Sequence, residues 1–220
     1  MQPPPRNARP PKRIVRFQSG KYFVRTIRRE DASDRWASWL SDPWAMHVLN
    51  SPRRSLQKSD IIDYIKRFDQ RFHCLVGIFE RGTRTHIGII RFDIDYVASE
   101  SVVSVIIGEP EYRNKGVQAD VFMSMLDYLF DTIGINTLKA SVLARNEVLI
   151  RYLLKAGWQL DQTPRQQVKS TSDGTMLDLC SLSLTRHAWR AWKETKLAKR
   201  ILRRIHRAEG AWAQNKLQRA

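Results

Sequence analysis

The sequence predicts an α/β (α+β) domain: a mixed, mostly antiparallel central sheet of about seven strands, flanked by helices and followed by a basic C-terminal helix. Three observations carry this. The period of the apolar residues changes along the chain in the order strand, two helices, three strands, helix, strand, helix, two strands. A meander of strands that ends in strand–helix–strand needs a mixed sheet with helices on both faces. The chain of 220 residues is 42% hydrophobic and 27% charged, which suits one full domain with appendages.

The elements follow in order. Residues 1–16 hold five prolines and five basic residues, so an arm over 1–19 is expected to be disordered, with the domain spanning 20–185. Tyr22 to Arg28 reads as the first strand. Glu30-Asp31 is expected to open a helix in which Trp36, Trp39 and Leu40 recur at helical spacing, with Ser41-Asp42-Pro43 breaking it. From about Lys58, Ile61, Ile62, Ile65 and Phe68 form the stripe of a second helix. Leu75–Glu80 and His86–Ile94 make a hairpin around Arg81-Gly82-Thr83. Ser101–Gly108 is the most continuously apolar strand and is expected to be central. Gly116 begins a helix carrying Val121, Phe122, Met125, Leu126, Leu129 and Phe130 on one face. Thr137–Leu143 is a strand, Asn146–Ala156 a helix ended by Gly157, and Trp158–Leu160 and Met176–Leu184 complete the sheet.

The net charge of +16 is unevenly placed. Residues 1–29 carry nine Lys/Arg and no acid, and 186–220 carry eleven against two acids, which leaves 30–185 close to neutral. The N-terminus has no apolar h-region, and the longest apolar run, Val102–Ile107, is far too short to span a bilayer. With only Cys74 and Cys180, a cytoplasmic protein with reduced thiols is expected. His47, His73, His86, His187 and His206 pair with no other ligand type at metal-binding spacing, so no metal site is expected.

The segment that narrows the chemistry most runs from Val105 to Asp120. An apolar strand stops at Gly108-Glu109-Pro110, turns through Arg113-Asn114-Lys115-Gly116, and enters a helix through Val117-Gln118. A loop with free N–H groups that feeds a helix N-terminus suits a phosphate or pyrophosphate.

Arg113-Asn114-Lys115-Gly116-Val117-Gln118 is similar to the signature of the GNAT superfamily of N-acetyltransferases: Arg or Gln, two residues, Gly, any residue, then Gly or Ala. Asn146, followed eleven residues on by Gly157-Trp158, resembles that family's Asn-led helix ending in Gly and an aromatic residue. Arg28-Arg29-Glu30-Asp31-Ala32 and Ser41-Asp42-Pro43 resemble its ribosomal-protein N-terminal acetyltransferase-like branch. The likeness covers about residues 20–185.

The resemblance implies transfer of an acetyl group from acetyl-CoA to a primary amine by direct attack. It implies that the amides of Asn114, Lys115, Gly116, Val117 and Gln118 hold the coenzyme A pyrophosphate, with Arg113 and Lys115 adding charge. It also implies that Val105, Ile106 and Ile107 bind the pantetheine arm through their backbone, that Ala140–Leu143 splays away, and that Asn146 reaches the cofactor. The sequence departs from the family at Gln118, where Gly or Ala is usual. It departs again at Leu153, where many relatives carry a Tyr that protonates the leaving thiolate; Tyr152 is one residue early, about 100° round the helix.

Glu109, at the C-terminal end of the central strand, is the catalytic carboxylate candidate, ahead of Asp93 and Asp95. His47 falls on the segment that in this family covers the acceptor. That acceptor is a protein N-terminus, a small amine or an amino sugar. The alternative function is a catalytically weak GNAT-like binding module. The C-terminal stripe of Trp189, Trp192, Leu197, Ile201, Ile205 and Trp212 leaves several partners open. It could dock on the domain, join a homodimer, or meet a polyanion (RNA, the ribosome or an anionic lipid surface) through its basic flank.

Overall fold

A computed structural model describes residues 10–50, 54–161 and 166–217. The strands are β1 (Arg16–Ser19), β2 (Tyr22–Thr26), β3 (His73–Glu80), β4 (His86–Asp95), β5 (Glu100–Ile107), β6 (Thr137–Leu143), β7 (Gln159–Leu160), β8 (Gln166–Lys169) and β9 (Met176–Thr185). The helices are α1 (Asp34–Trp39), α2 (Pro43–Leu49), α3 (Lys58–Lys66), α4 (Val117–Asp127), α5 (Glu147–Lys155), α6 (Arg186–Lys193) and α7 (Lys196–Leu217). One sheet runs in the order β1-β2-β3-β4-β5-β6-β9-β7, with β8 also paired to β9. Every pairing is antiparallel except β5–β6. The apolar strand β5 is central, as its composition predicts.

Both faces of the sheet are covered, and β3 shows why. Its residues from Cys74 to Phe79 are all buried. Side chains alternate along a strand, so Cys74, Val76 and Ile78 enter the core under α4, whereas Leu75 and Phe79 enter a second core under α1 and α3. Trp36 and Ile61, each 1% exposed, anchor α1 and α3 in that second core.

Local chemistry corrects several expectations. The arm expected over 1–19 lies outside the described residues only for 1–9. Val15 is 1% exposed, and Arg16–Ser19 pairs with β2, so apolar residues within the basic stretch do find a core. Glu30-Asp31 does not open the first helix. The Asp31 carboxylate takes Arg25 at 2.6 Å and the Arg28 N–H at 2.7 Å, and Ser33 caps α1 by accepting from Trp36 N–H at 3.1 Å. Pro43 both ends α1 and starts α2, because a helix tolerates Pro in its first turn. The expected single C-terminal helix is two, divided at Glu194-Thr195, where Thr195 Oγ1 accepts from Ala198 N–H at 3.2 Å. Nine strands replace the expected seven, the additional ones being β1 and β8.

The C-terminal helices dock on the domain. On α6, Trp189 and Trp192 stack 5.1 Å apart; Trp189 Nε1 donates to Asp127 at 2.8 Å and Trp192 Nε1 to the Lys155 carbonyl at 2.6 Å. Gly157 has φ +88°, and a Cβ there would stand 3.1 Å from Trp192 Cβ, so turn and packing both demand glycine. Along α7, Ala198 and Ile205 are buried, Glu209 accepts from Gly20 N–H at 3.1 Å, and the Arg81 guanidinium lies 3.9 Å over Trp212. Trp189→Ala should cost about 3–5 kcal/mol by chemical denaturation, because it deletes a fully buried indole and strips Asp127 of a donor.

His86 sits in the second core with ring centroids 5.0 Å from Trp36 and Trp39 and 4.7 Å from Phe79. Burial pushes its pKa down to about 4, so the folded state holds the neutral ring. Below the unfolded value of about 6.5 the unfolded chain binds the proton first. Stability is therefore complete above that pH and falls by at most about 3 kcal/mol as pH drops to 4. Urea unfolding at stepped pH should show this slope, and His86→Phe should remove most of it.

Candidate functional site

The parallel pairing of β5 and β6 is brief. It joins Glu100, Ser101 and Val102 to Thr137, Leu138 and Lys139 and then ends, although both strands continue. Beyond that point β5 stays on β4 and β6 stays on β9, so the two diverge. A cavity of about 910 Å³ opens between them, lined by Val103–Ile107 on one side and Ala140–Leu143 on the other. The closed end is held by Lys139 Nζ and Glu100 at 2.6 Å.

The gap exposes backbone groups. Gly108 N–H donates to Ile87 of β4 at 2.9 Å. Alternation then turns the polar groups of Ile106 toward β4 and those of Val105 and Ile107 toward the gap. Consistent with this, Ile106 O lies 2.4 Å from where a Cβ on Gly88 would stand. Of the three strand residues expected to offer their backbone, Val105 and Ile107 turn theirs toward the gap, whereas Ile106 turns its own toward β4 and packs its side chain against the second core.

At the mouth of the gap, the loop turns through left-handed conformations at Asn114 (φ +59°) and Gly116 (φ +77°). Gly116 precedes α4, whose first internal bond runs from Asp120 N–H to the Gly116 carbonyl at 3.1 Å. The amides of Val117, Gln118 and Ala119 thus have no partner one turn back and carry the helix's positive end. Arg113, Asn114, Gly116, Val117, Gln118 and Ala119 line the cavity, while Lys115 is exposed and does not. Gln118 occupies the mouth, where a Gly or Ala would leave more room.

Arg113 is committed elsewhere. Its guanidinium donates to the Ile107 carbonyl at 3.2 Å, the Gly108 carbonyl at 2.7 Å and Asp42 at 2.8 Å, and it stacks 4.5 Å from the Trp44 ring. It ties the α1–α2 corner to the end of β5. The charge expected near a phosphate is thus already paired with Asp42, although Arg113 lines the cavity.

Asn146 caps α5, accepting from Leu149 N–H at 3.3 Å through Oδ1, and lines the cavity. Tyr152 and Leu153 line it too; burial pushes the Tyr152 phenol up to about 12. Two further lining groups, Arg145 Nε and Trp158 Nε1, are buried without a hydrogen-bond partner among the described residues. Buried donors of this kind are costly unless a ligand accepts from them.

Glu109 is 4% exposed and is not among the cavity-lining residues. Arg35 grips it with two bonds of 2.6 and 2.5 Å, and Trp39 Nε1 donates at 2.8 Å. Burial alone would raise its pKa, but the Arg35 and Trp39 bonds outweigh that and lower it. A carboxylate with both oxygens occupied and its basicity reduced is poorly placed to take a proton from an amine. Asp93 bonds His73 at 2.8 Å, opposite Val102 at the closed end of the gap.

Sequence reasoning missed Arg35, whose pairing with Glu109 spans 74 positions and leaves no local signal. It also missed Asn50, which closes α2 over the cavity. Asn50 Nδ2 donates to the Lys169 carbonyl at 2.9 Å, and its Oδ1 accepts from Thr171 N–H at 2.9 Å. His47, expected on a covering loop, lies on α2 and lines the cavity. Neither cysteine lines it. Cys74 is fully buried with its thiol pushed up to about 12 by burial, and Cys180 is half-buried.

The family model of the acetyltransferase (GNAT) domain matches residues 22–159. An uncharacterized N-acetyltransferase, YoaA of Bacillus subtilis (strain 168), is 24% identical over 155 residues, covering 68% of this chain and 86% of that protein. Among solved structures, the ribosomal-protein-S5-alanine acetyltransferase of Vibrio fischeri aligns with a TM-score of 0.67 at 17% identity, over 80% of this chain and 98% of its own. The spermidine N-acetyltransferase of Vibrio cholerae, solved with CoA and spermine, aligns at 0.67 and 14% identity, over 77% and 98%. With a splayed central pair, a loop of free amides at its mouth and a matching model over most of its domain, the chain belongs to the GNAT acetyltransferase family.

Proposed function

We propose that the protein transfers an acetyl group from acetyl-CoA to a primary amine by direct attack. The observation that carries this reading is the end of the β5–β6 pairing at Val102 and Lys139, which leads a cavity from the amide loop into the sheet. The residues present fit the cofactor. The loop amides of 114–118 suit a diphosphate, the gap-facing groups of Val105 and Ile107 suit an extended amide-bearing arm, and the unpartnered Trp158 Nε1 awaits an acceptor.

When bound, acetyl-CoA supplies the activated acetyl thioester. The chain's own residues do the rest. Loop amides bind the diphosphate, and α4's N-terminus offsets its charge. The strand β5 orients the arm, and one of its gap-facing N–H groups polarises the acyl oxygen. Apolar walls from Phe122, Val142 and Leu143 exclude bulk water. Neither cysteine lines the cavity, which supports direct attack over an acyl-enzyme. The amine's proton leaves through water, because Glu109 serves as a positioning residue that fixes Arg35 and Trp39 against the end of β5.

For the acceptor, the charged lining favours a protein N-terminus over a polyamine. Among the described lining residues Glu147 is the single carboxylate, and it lies 3.6 Å from Arg151, whereas a polycation needs several free carboxylates. Calorimetry with acetyl-CoA, then thiol release over a panel of N-terminal peptides, spermidine and amino sugars, tests the reading. Turnover is expected on peptides. Absence of cofactor binding at millimolar concentration would overturn it.

Two variants sharpen the assignment. Gly116→Val forces a β-branched residue to φ +77° at the loop, and KM for acetyl-CoA should rise about tenfold or more while KM for the amine changes little. Glu109→Gln should lower thermal stability yet leave the pH dependence of kcat/KM where the wild type has it. A lost or displaced acid-side limb would instead make Glu109 the general base.

A further inference from the structure

We infer that Arg204 of α7, a residue outside the matched family domain, is a phosphate ligand for the CoA diphosphate; this rests on the acetyl-CoA reading above. The domain match ends at residue 159, so the cation that α7 brings comes from outside it. Arg204 reaches across to the N-terminus of α4. It donates to Asp120 Oδ1 through Nε at 3.0 Å and through Nη2 at 2.5 Å. A Cβ on Gly116 would stand 3.4 Å from Nη2 and 3.5 Å from Nη1, so the guanidinium packs against the backbone of the amide loop. Its side chain is 53% exposed, which keeps one edge open to an incoming ligand while the other holds Asp120.

The charge balance at this spot explains the arrangement. Asp120 lies in the first turn of α4, 13% exposed, near where a diphosphate would sit on the loop amides. Alone, that carboxylate would repel the ligand across low-dielectric surroundings. Arg204 cancels it and presents further N–H donors in the planar fork that matches phosphate oxygens. Arg200, exposed and one helical turn earlier, extends the positive edge. The helix is held in register for this contact by Ile205, by Glu209 on Gly20 and by Trp212 under Arg81. Arg204 borders this cavity through Gly116, which lines it together with the unpartnered Trp158 Nε1 in a side chain 3% exposed, an independent sign that a ligand belongs in the cavity.

The test compares binding of CoA with binding of pantetheine, which lacks the nucleotide and its diphosphate, by calorimetry on the full chain. The informative variant is Asp120→Asn with Arg204→Gln, which removes the pair together and leaves no unpaired buried charge. CoA affinity should fall about tenfold or more, with pantetheine affinity unchanged and the thermal melt close to wild type. Arg204→Lys, which keeps a charge but loses the fork, should fall between. Wild-type CoA affinity in the double variant would overturn the inference, and so would an equal loss for CoA and pantetheine, which marks a structural role. Failure of the wild type to bind CoA at all would instead overturn the acetyl-CoA reading.

Discussion

The site depends on a pairing that stops after three residues. From Glu100 to Val102, β5 and β6 form a parallel ladder; from Val103 each strand follows its outer neighbour. In a sheet interior such a break is expensive, because backbone N–H and C=O groups lose their partners. The cost is sustained by packing on both sides: β3 and β4 are buried on both faces, and β6 is locked to β9 along its whole length. The gap-facing backbone of β5 is thereby left open to an extended ligand with amide groups of its own.

Around this break, ionic groups are used mainly for construction. Arg113 holds the α1–α2 corner to the end of β5, and Arg35 with Glu109 holds α1 to the residue just after it. Both pairs join the second core to the rim of the gap. What remains to receive an anion is chiefly backbone: loop amides preset by two left-handed residues. Preset amides cost no side-chain ordering when a ligand arrives, which suits reversible binding.

The fold was legible wherever an element is decided by its own residues. The hairpin of β3 and β4, the continuous apolar run of β5, and Gly116 and Gly157 at helix ends are local signals, and each matched. Elements decided by distant partners were not legible. The strand Arg16–Ser19 is hidden in a Pro-rich basic stretch and exists because β2 offers an edge. The polar strand Gln166–Lys169 is held on β9 by its backbone ladder and by Gln167 Nε2 donating to Asp178 at 2.7 Å, and it shows no apolar pattern. Pro43 carries two meanings, breaker and helix starter, which sequence does not separate. At the site, Gly116 and Asn146 announce themselves by type and spacing. Glu109 misled because its partners Arg35 and Trp39 lie 74 and 70 positions away, and only folding shows its oxygens to be taken.

The roof of the cavity is held by few bonds. Asn50 joins the end of α2 to the β8–β9 hairpin by hydrogen bonds to Lys169 and Thr171, all at exposed positions. Exposed bonds of this kind are each worth about 1 kcal/mol or less, since water replaces them when they part. Releasing them frees α2 from the hairpin without disturbing either core. The roof is therefore the wall of the cavity most easily released, on the microsecond-to-millisecond scale typical of such segments.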